Sequence, residues 1–138
     1  MKPPLFLVNI DVDDVEKAAA FYCDGLRLKV GRRFDGWLEL VGGSSPIYLL
    51  PKKAGSAISP VAPGTRDYAR HWTPVHLDFV VDDIDAAIAR ARAAGATLEQ
   101  EARDHAYGRL ALLADPFGNG FCLLQFTGRG YDEIAIAG

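Results

Sequence analysis

Apolar residues recur along the chain with two different periods, and the order of those periods predicts the architecture. An alternating run from Phe6 to Val12 leads into a stretch with helical spacing that ends near Gly25. Three more strand-like runs follow, and the same order then begins again. Alternation is typical of a strand packed on one side, whereas apolar residues three and four apart are typical of a helix. The pattern therefore predicts a β-α-β-β-β order that occurs twice.

An internal repeat supports this order. The segments VDDVEKAAA (12–20) and VDDIDAAIA (81–89) lie 69 residues apart and are identical at five of nine positions. Each follows an apolar strand-like run and opens a helix. Acidic residues at both starts have capping-box spacing: Asp13 with Glu16, and Asp82 with Asp85. We expect Asp13 and Asp82 to cap the two helices, and Gly25 and Gly95 to end them in the left-handed conformation.

The repeat also predicts the organisation of the chain. One module spans residues 1–52, a second spans 74–127, and a tail follows at 128–138, the two modules forming one domain. The connection at 53–73 belongs to a stretch, Pro51 to Pro74, that is rich in Pro, Gly, Ser and Ala. Such a stretch is typical of a linker. It also contains aromatic and cationic residues, so closure over a pocket as a lid is the alternative.

Composition narrows the class of function. The chain has 138 residues, 49% of them hydrophobic, and a net charge of −3. Nucleic-acid partners require a basic surface, so we expect none. The start of the chain lacks the long apolar run of a secretion signal, and no window is long enough to span a bilayer. The two cysteines form no disulfide framework, which favours a cytoplasmic protein.

Polar residues on two strands indicate a candidate site. Alternation places Leu7, Asn9 and Asp11 on one face of the first strand, and His76 and Asp78 on one face of the fifth. Such a mixed face is either a solvated outer surface or the wall of a binding pocket. We favour the pocket, with these candidate ligand-binding residues: Asn9, Asp11, Trp37, Glu39, Tyr48, His76, Asp78, Tyr107, Arg109 and Cys122. The sixth strand is polar near Glu99 and is predicted to be an edge strand.

Three motifs then point to a family. The paired VDD helix openings, FYCDGLRLKV (21–30) and DPFGNGFCLLQF (115–126) resemble the vicinal oxygen chelate superfamily, which includes glyoxalase I, bleomycin-resistance proteins and extradiol dioxygenases. The resemblance covers roughly Leu5 to Phe126. It implies an α+β fold in which two βαβββ modules form cup-shaped curled sheets with helices on the outer face. It also implies a homodimer.

The resemblance places four metal-ligand positions on this chain: Leu7, Tyr48, His76 and Cys122. The metal enzymes of the family have His, Gln or Glu where this chain has Leu7 and Cys122. Leucine offers no donor, and a phenol such as Tyr48 seldom ionises near neutral pH. Neighbouring residues such as Asp78, Asn9 or Glu39 are displaced along the strand by its period of two. We therefore expect no cofactor, with a divalent metal as the less favoured alternative.

Three functions are compatible with these residues. The first is a binding protein that holds a small, partly apolar molecule in a cup between the modules; Trp37 and Tyr48, with Trp72 and Tyr107, suit a flat ligand. The second is a lyase, isomerase or dioxygenase that uses an atypical metal set or His76 in acid–base catalysis. The third is a structural or regulatory module. We favour the first.

Two details of the enzyme alternative follow from strand geometry. His76 and Asp78 lie two residues apart, about 6–7 Å along a strand, so we expect no direct hydrogen bond between them. Cys122 is either a nucleophile activated by His76 or a small buried apolar residue, and we favour the buried residue.

Overall fold

The computed structural model describes residues 2–137, which form two compact units. Unit 1 ends at Ala69, and unit 2 begins at Arg70. Each unit contains four strands and one long helix in β-α-β-β-β order, so the α+β class and the repeated module are confirmed. None of the helices within residues 2–137 has the length and apolar character needed to cross a membrane.

Unit 1 contains a mixed four-stranded sheet. Its elements are β1 (Val8–Val12), α1 (Val15–Leu26), β2 (Lys29–Arg33), β3 (Leu38–Val41) and β4 (Ile47–Pro51). The strand order is β1-β4-β3-β2, with β1 parallel to β4 and the other neighbours antiparallel. Residues 52–69 continue from β4 within the same unit.

Unit 2 repeats this arrangement. Its elements are β5 (Leu77–Val80), α2 (Ile84–Ala93), β6 (Thr97–His105), β7 (Gly108–Ala114), β8 (Gly120–Phe126) and a short 3-10 helix (Gly130–Glu133). The strand order is β5-β8-β7-β6, with β5 parallel to β8. The predicted edge position of β6 is confirmed, which explains why this strand tolerates exposed Glu99 and Glu101.

Each unit buries one face of its sheet beneath its helix. Strand alternation and register place the apolar core of unit 1 on one face, and it comprises Val12, Leu38, Leu40, Ile47 and Leu49 with Ala18, Phe21 and Tyr22 of α1. The corresponding residues of unit 2 are Leu113, Phe121 and Leu123 with Ile84, Ala87 and Ala91 of α2. We call the opposite face of each sheet its open face, and the candidate polar residues lie mainly there.

The helix caps differ from the prediction by one residue. Asp14 caps α1 by accepting a hydrogen bond from Lys17 N at 3.0 Å, and Asp83 caps α2 in the same way. Asp13 and Asp82 were the wrong choices because the helices begin at Val15 and Ile84, so the extended residue directly before each helix is Asp14 or Asp83. At the other end of α1, Arg27 rather than Gly25 takes the left-handed conformation, with φ of 60°. Gly95 follows α2 in that conformation, as predicted.

Candidate functional site

The open face of unit 2 brings together His76, Asp78 and Cys122. Asp78 in β5 is the register partner of Cys122 in the parallel strand β8, and His76 comes directly before β5. The potential ligand atoms of all three residues lie within 4.8 Å of one another. The polar residues selected from strand alternation therefore do form a cluster, with His76 and Asp78 exposed to solvent and Cys122 buried.

The expectation that His76 and Asp78 make no direct contact is wrong. His76 Nε2 lies 3.2 Å from Asp78 Oδ1. Both side chains project from the same face, and the imidazole is long enough to lean along the strand and close the gap between the two main-chain positions.

The surroundings of Cys122 favour its protonated thiol form. Burial, followed by the negative charge of Asp78 and a hydrogen bond to Asp78, raises the pKa of Cys122 to about 12. A cysteine acts as a nucleophile only as its thiolate. The buried, apolar interpretation of Cys122 therefore agrees with its surroundings better than the nucleophilic one.

These three side chains meet some, but not all, of the requirements of a metal site. Imidazole, carboxylate and thiolate are all ligand types that zinc accepts, and three protein ligands are usual for a catalytic zinc. However, the Cys122 proton must first be displaced, because only a thiolate binds the metal. The positions that correspond to His76 and Cys122 in unit 1 are Leu7, which has no donor, and Tyr48, which is engaged elsewhere.

In unit 1, Tyr48 belongs to a network with Glu39 and Arg32. Glu39 in β3 is the register partner of Tyr48 in β4, and both side chains lie on the open face. Arg32 donates to the Glu39 carboxylate from Nε at 3.2 Å, from Nη2 at 2.8 Å and from its main-chain N at 3.0 Å. Arg32 Nη2 also donates to Tyr48 Oη, which donates to Glu39 Oε2, both at 2.9 Å.

This network fixes the charge of Glu39. The hydrogen bonds from Arg32 hold the pKa of Glu39 down at about 2, although the residue is only 8% exposed. The carboxylate therefore stays ionised at neutral pH, and Arg32 neutralises it. Neither Glu39 nor Tyr48 is free to replace a missing metal ligand.

A second feature of unit 1 is an aromatic surface beside this network, formed by Phe34, Trp37 and Tyr48. Phe34 and Trp37 stack with ring centroids 3.9 Å apart and planes 16° apart, and Tyr48 lies 5.8 Å from Trp37. The Arg32 guanidinium lies 5.6 Å from the centre of the Phe34 ring. Trp37 remains 36% exposed. Trp37 and half-buried Phe34 are therefore available to solvent, whereas Tyr48 lies buried beneath them.

The sequence prediction missed Gly31, Arg32 and Phe34. A Cβ atom at Gly31 would lie 2.6 Å from Glu39 Oε1, so glycine leaves room for the carboxylate. Arg32 was not found because strict alternation places it with Val30, on the helix side of the sheet. The register of β2 shifts between Val30 and Arg33, and this irregularity is compatible with Arg32 facing Glu39.

Three of the other predicted residues lie apart from these clusters, whereas Asn9 borders the network of unit 1. In unit 1, Asp11 binds Arg66 Nε at 2.8 Å, whereas Asn9 is exposed in the register position beside Tyr48. In unit 2, Arg109 is on the helix side and pairs with carboxylates of α2 and β6, both at 3.2 Å. Tyr107 lies in the β6–β7 turn and stacks on the His105 ring, with ring centroids 5.1 Å apart. Arg109 and Tyr107 are thus not brought to His76.

Comparison with known proteins agrees with this architecture. The family model for the glyoxalase-like domain matches residues 7–124. An uncharacterised protein of Mycobacterium bovis is 28% identical over 150 residues, covering 97% of this chain and 91% of the relative. TnmS3, an antibiotic-binding protein from Streptomyces sp. CB03234, superposes with a TM-score of 0.66 at 25% identity, covering 91% of this chain and 98% of TnmS3.

A further similar structure is FosX of Listeria monocytogenes, a fosfomycin resistance protein. It superposes with a TM-score of 0.71 at 18% identity, covering 98% of this chain and all of FosX. A variant of that protein was crystallised with Mn(II) and a dihydroxypropylphosphonic acid. The match over residues 7–124 and the shared fold show that this chain belongs to the glyoxalase-like domain family, within the vicinal oxygen chelate superfamily.

Proposed function

We propose that this protein binds a small, partly apolar molecule on the aromatic surface of unit 1, without a catalytic metal. The observation that carries the proposal is the exposed stack of Trp37 on Phe34, on the open face of the sheet. Stacked aromatic side chains offer a large, rigid contact area at low entropic cost. The antibiotic-binding relative TnmS3 supports a ligand of this kind.

The surroundings of the aromatic surface favour a ligand without a strong charge. Arg32 and Glu39 neutralise each other, so this pair adds no net charge beside the aromatic rings. Arg32 is mostly exposed and its Nη1 group makes no hydrogen bond to the described residues, so it can donate to a ligand oxygen. Asn9 and Leu7 at the exposed edge add one amide and one apolar contact. A flat ligand with a carbonyl or ether oxygen at its rim matches these groups.

A ligand screen tests the proposal. A panel of flat aromatic and antibiotic-like compounds is added to the wild-type protein, hits are found by thermal shift, and the affected amides are mapped by ¹H–¹⁵N NMR. We expect shifts centred on residues 34–48 and binding that is at least about tenfold weaker in Trp37→Ala. Tyr131→Ala, which removes an exposed aromatic ring of unit 2, is the matched control. Hits that map elsewhere and bind Trp37→Ala with unchanged affinity would contradict the proposal.

A second candidate function is a metal-dependent lyase, isomerase or dioxygenase reaction at unit 2. It is favoured by the convergence of His76, Asp78 and Cys122 within 4.8 Å. A bound metal would polarise an oxygen of the substrate. Titration with Co²⁺ tests the site without an assay of activity, because a thiolate bound to cobalt adds a charge-transfer absorption. That absorption should be absent from Cys122→Ser if Cys122 is a ligand.

The homodimer, the cytoplasmic location and the module boundaries predicted from the sequence stay predictions. Sedimentation velocity of the purified protein tests the first of them.

A further inference from the structure

Unit 2 contains an unusual contact between Trp72 and a glycine of the sheet. Gly120 lies two residues before Cys122 in β8 and so shares its open face. A Cβ atom at Gly120 would lie 2.4 Å from two atoms of the Trp72 ring. The indole therefore rests directly on the main chain, and any larger residue at position 120 would push it away.

Polar side chains contact the other sides of the indole. Trp72 Nε1 donates to Glu99 Oε1 at 3.2 Å. The Arg70 guanidinium lies 5.1 Å from the ring centre and forms an ion pair with Glu99. The His76 imidazole meets the ring edge to face, with centroids 5.4 Å apart and planes at 81°. Arg70, followed by the indole N–H, holds the pKa of Glu99 below its usual range.

The main chain beside Trp72 is held independently of the indole. His71 N donates to Gly118 O at 2.8 Å, and Gly120 N donates to His71 O at 3.1 Å. Rotation of the Trp72 side chain would leave these bonds intact. Trp72 is also 41% exposed, so its side chain can turn into solvent without crossing the core.

We propose that the surface over Gly120 is a binding site for a flat aromatic ring with an N–H donor, and that Trp72 fills it until such a ligand displaces the indole. The site is defined by Gly120, Glu99, Arg70 and His76, and we call it the ring site. It lies in unit 2 and does not rest on the aromatic surface proposed for unit 1.

The chemistry of the ring site selects the ligand class. Because Gly120 has no side chain, the face of a planar ring can pack directly on its main chain. The Arg70 guanidinium interacts favourably with the π electrons of such a ring. The Glu99 carboxylate accepts a hydrogen bond from a ring N–H and repels an acidic group at the same edge. Neutral heterocycles such as indole therefore match the site, and a ligand bound there would contact His76 directly.

Free indole is the probe that tests the ring site. The variant Trp72→Ala removes the side chain that fills the ring site. It should therefore give saturable, one-to-one indole binding by NMR titration, at least about tenfold tighter than in the wild type. Glu99→Gln in the same background should weaken binding by about three- to tenfold, because it removes a charged acceptor. Glu101→Gln, an exposed glutamate of the same strand, is the matched control and should leave binding unchanged.

A second variant tests the steric argument directly. In Trp72→Ala, the added substitution Gly120→Ala should abolish indole binding, because the new methyl group occupies the ring site. Indole that does not bind folded Trp72→Ala, or that binds equally well with Gly120→Ala, overturns the proposal. Circular dichroism establishes whether each variant is folded.

If Trp72→Ala does not fold, Gly120→Ala in the otherwise intact chain still decides the question. The measurements are made in a Trp37→Phe background, which leaves Trp72 as the one fluorescent tryptophan of the chain. We expect Gly120→Ala to expel the indole, raising its acrylamide quenching constant and shifting its Nε1–H resonance. No change in either signal would overturn the proposal. Neither readout depends on Trp37, so failure here leaves the proposed function of unit 1 untouched.

Discussion

His76 Nε2 lies 3.2 Å from Asp78 Oδ1, and the Asp78 carboxylate also contacts the Cys122 thiol. Asp78 therefore links an exposed imidazole to a buried sulfur across two parallel strands. Together, these contacts make the cluster a polar group on the open face of unit 2 that is largely satisfied within the protein. The cluster can orient a ligand through His76 while the sulfur stays inert.

The inertness of Cys122 gives the first prediction. Because Cys122 is 3% exposed and its pKa is raised to about 12, we expect iodoacetamide to modify it far more slowly than an unfolded cysteine at pH 8. The measurement is alkylation followed by mass spectrometry in a Cys23→Ser background, before and after denaturation. Equal rates in the folded and denatured protein would show that the thiol is accessible and reactive.

Acid sensitivity of unit 1 is the second prediction. The Glu39 pKa of about 2 is below its ordinary value of 4.5, so the ionised form is favoured in the folded state. Its contribution to stability is complete above about pH 4.5 and is lost as the pH falls from there toward 2. We expect Glu39→Gln to lower the melting temperature at pH 7 and to flatten the loss of stability between these pH values.

Glu16→Gln is the control for this experiment, because Glu16 forms an exposed ion pair with Arg33 at 2.9 Å. Exposed pairs contribute little, so its melting temperature should hardly change. An equal effect of Glu16→Gln and Glu39→Gln would contradict a special role for the Arg32 network.

The third prediction concerns the space beside Glu39. A methyl group at Gly31 would lie 2.6 Å from Glu39 Oε1 and 3.0 Å from Val41 Cγ1. We expect Gly31→Ala to destabilise the protein by about 1–3 kcal/mol in urea unfolding, the usual cost of overpacking. Gly43→Ala is the matched control, since its methyl group would meet neighbours at an ordinary 3.7 Å. Equal stability of the two variants would show that Glu39 moves aside without cost.

The fourth prediction concerns residues 55–66 of unit 1. Arg66 binds Asp11 at 2.8 Å and donates to Ser56 Oγ and to the main chain of Ala57. We expect Arg66→Ala to increase amide exchange and proteolysis within this segment, because the Arg66 side chain joins the segment to Asp11 of β1. Arg129→Ala, which removes an exposed pair with Glu133, should leave the segment unchanged. Unaltered protection in Arg66→Ala would mean that the turn at Ala57 and Thr65 is sufficient.

Much of the fold could be predicted from the sequence, because it depends on local rules. Alternation identified the strands and their faces, and the polar sequence of β6 identified an edge. Alternation also selected His76, Asp78 and Cys122 for one face, yet strand spacing led to the wrong expectation that His76 and Asp78 do not contact each other. Strand spacing describes main-chain positions, whereas contacts depend on the length and tilt of side chains.

The missed parts of the site depend on irregular structure. Arg32 reaches Glu39 where the register of β2 shifts, and a shift of one residue reverses the face that strict alternation assigns. Trp72 reaches Gly120 because His71 pairs with the turn that ends in Asn119, a pairing between segments about fifty residues apart. No local pattern in the sequence encodes such a pairing. Each of these two contacts requires a glycine, at position 31 or 120, and these glycines are visible in the sequence.

Metal content tests most directly whether this protein acts without a resident metal. Elemental analysis is made on wild-type protein purified without chelator or nickel affinity, with His76→Ala alongside. We predict much less than one equivalent of any transition metal per chain, with no difference between the two proteins. One equivalent in the wild type that is lost in His76→Ala would contradict metal-free binding and favour the metal-dependent reaction at unit 2.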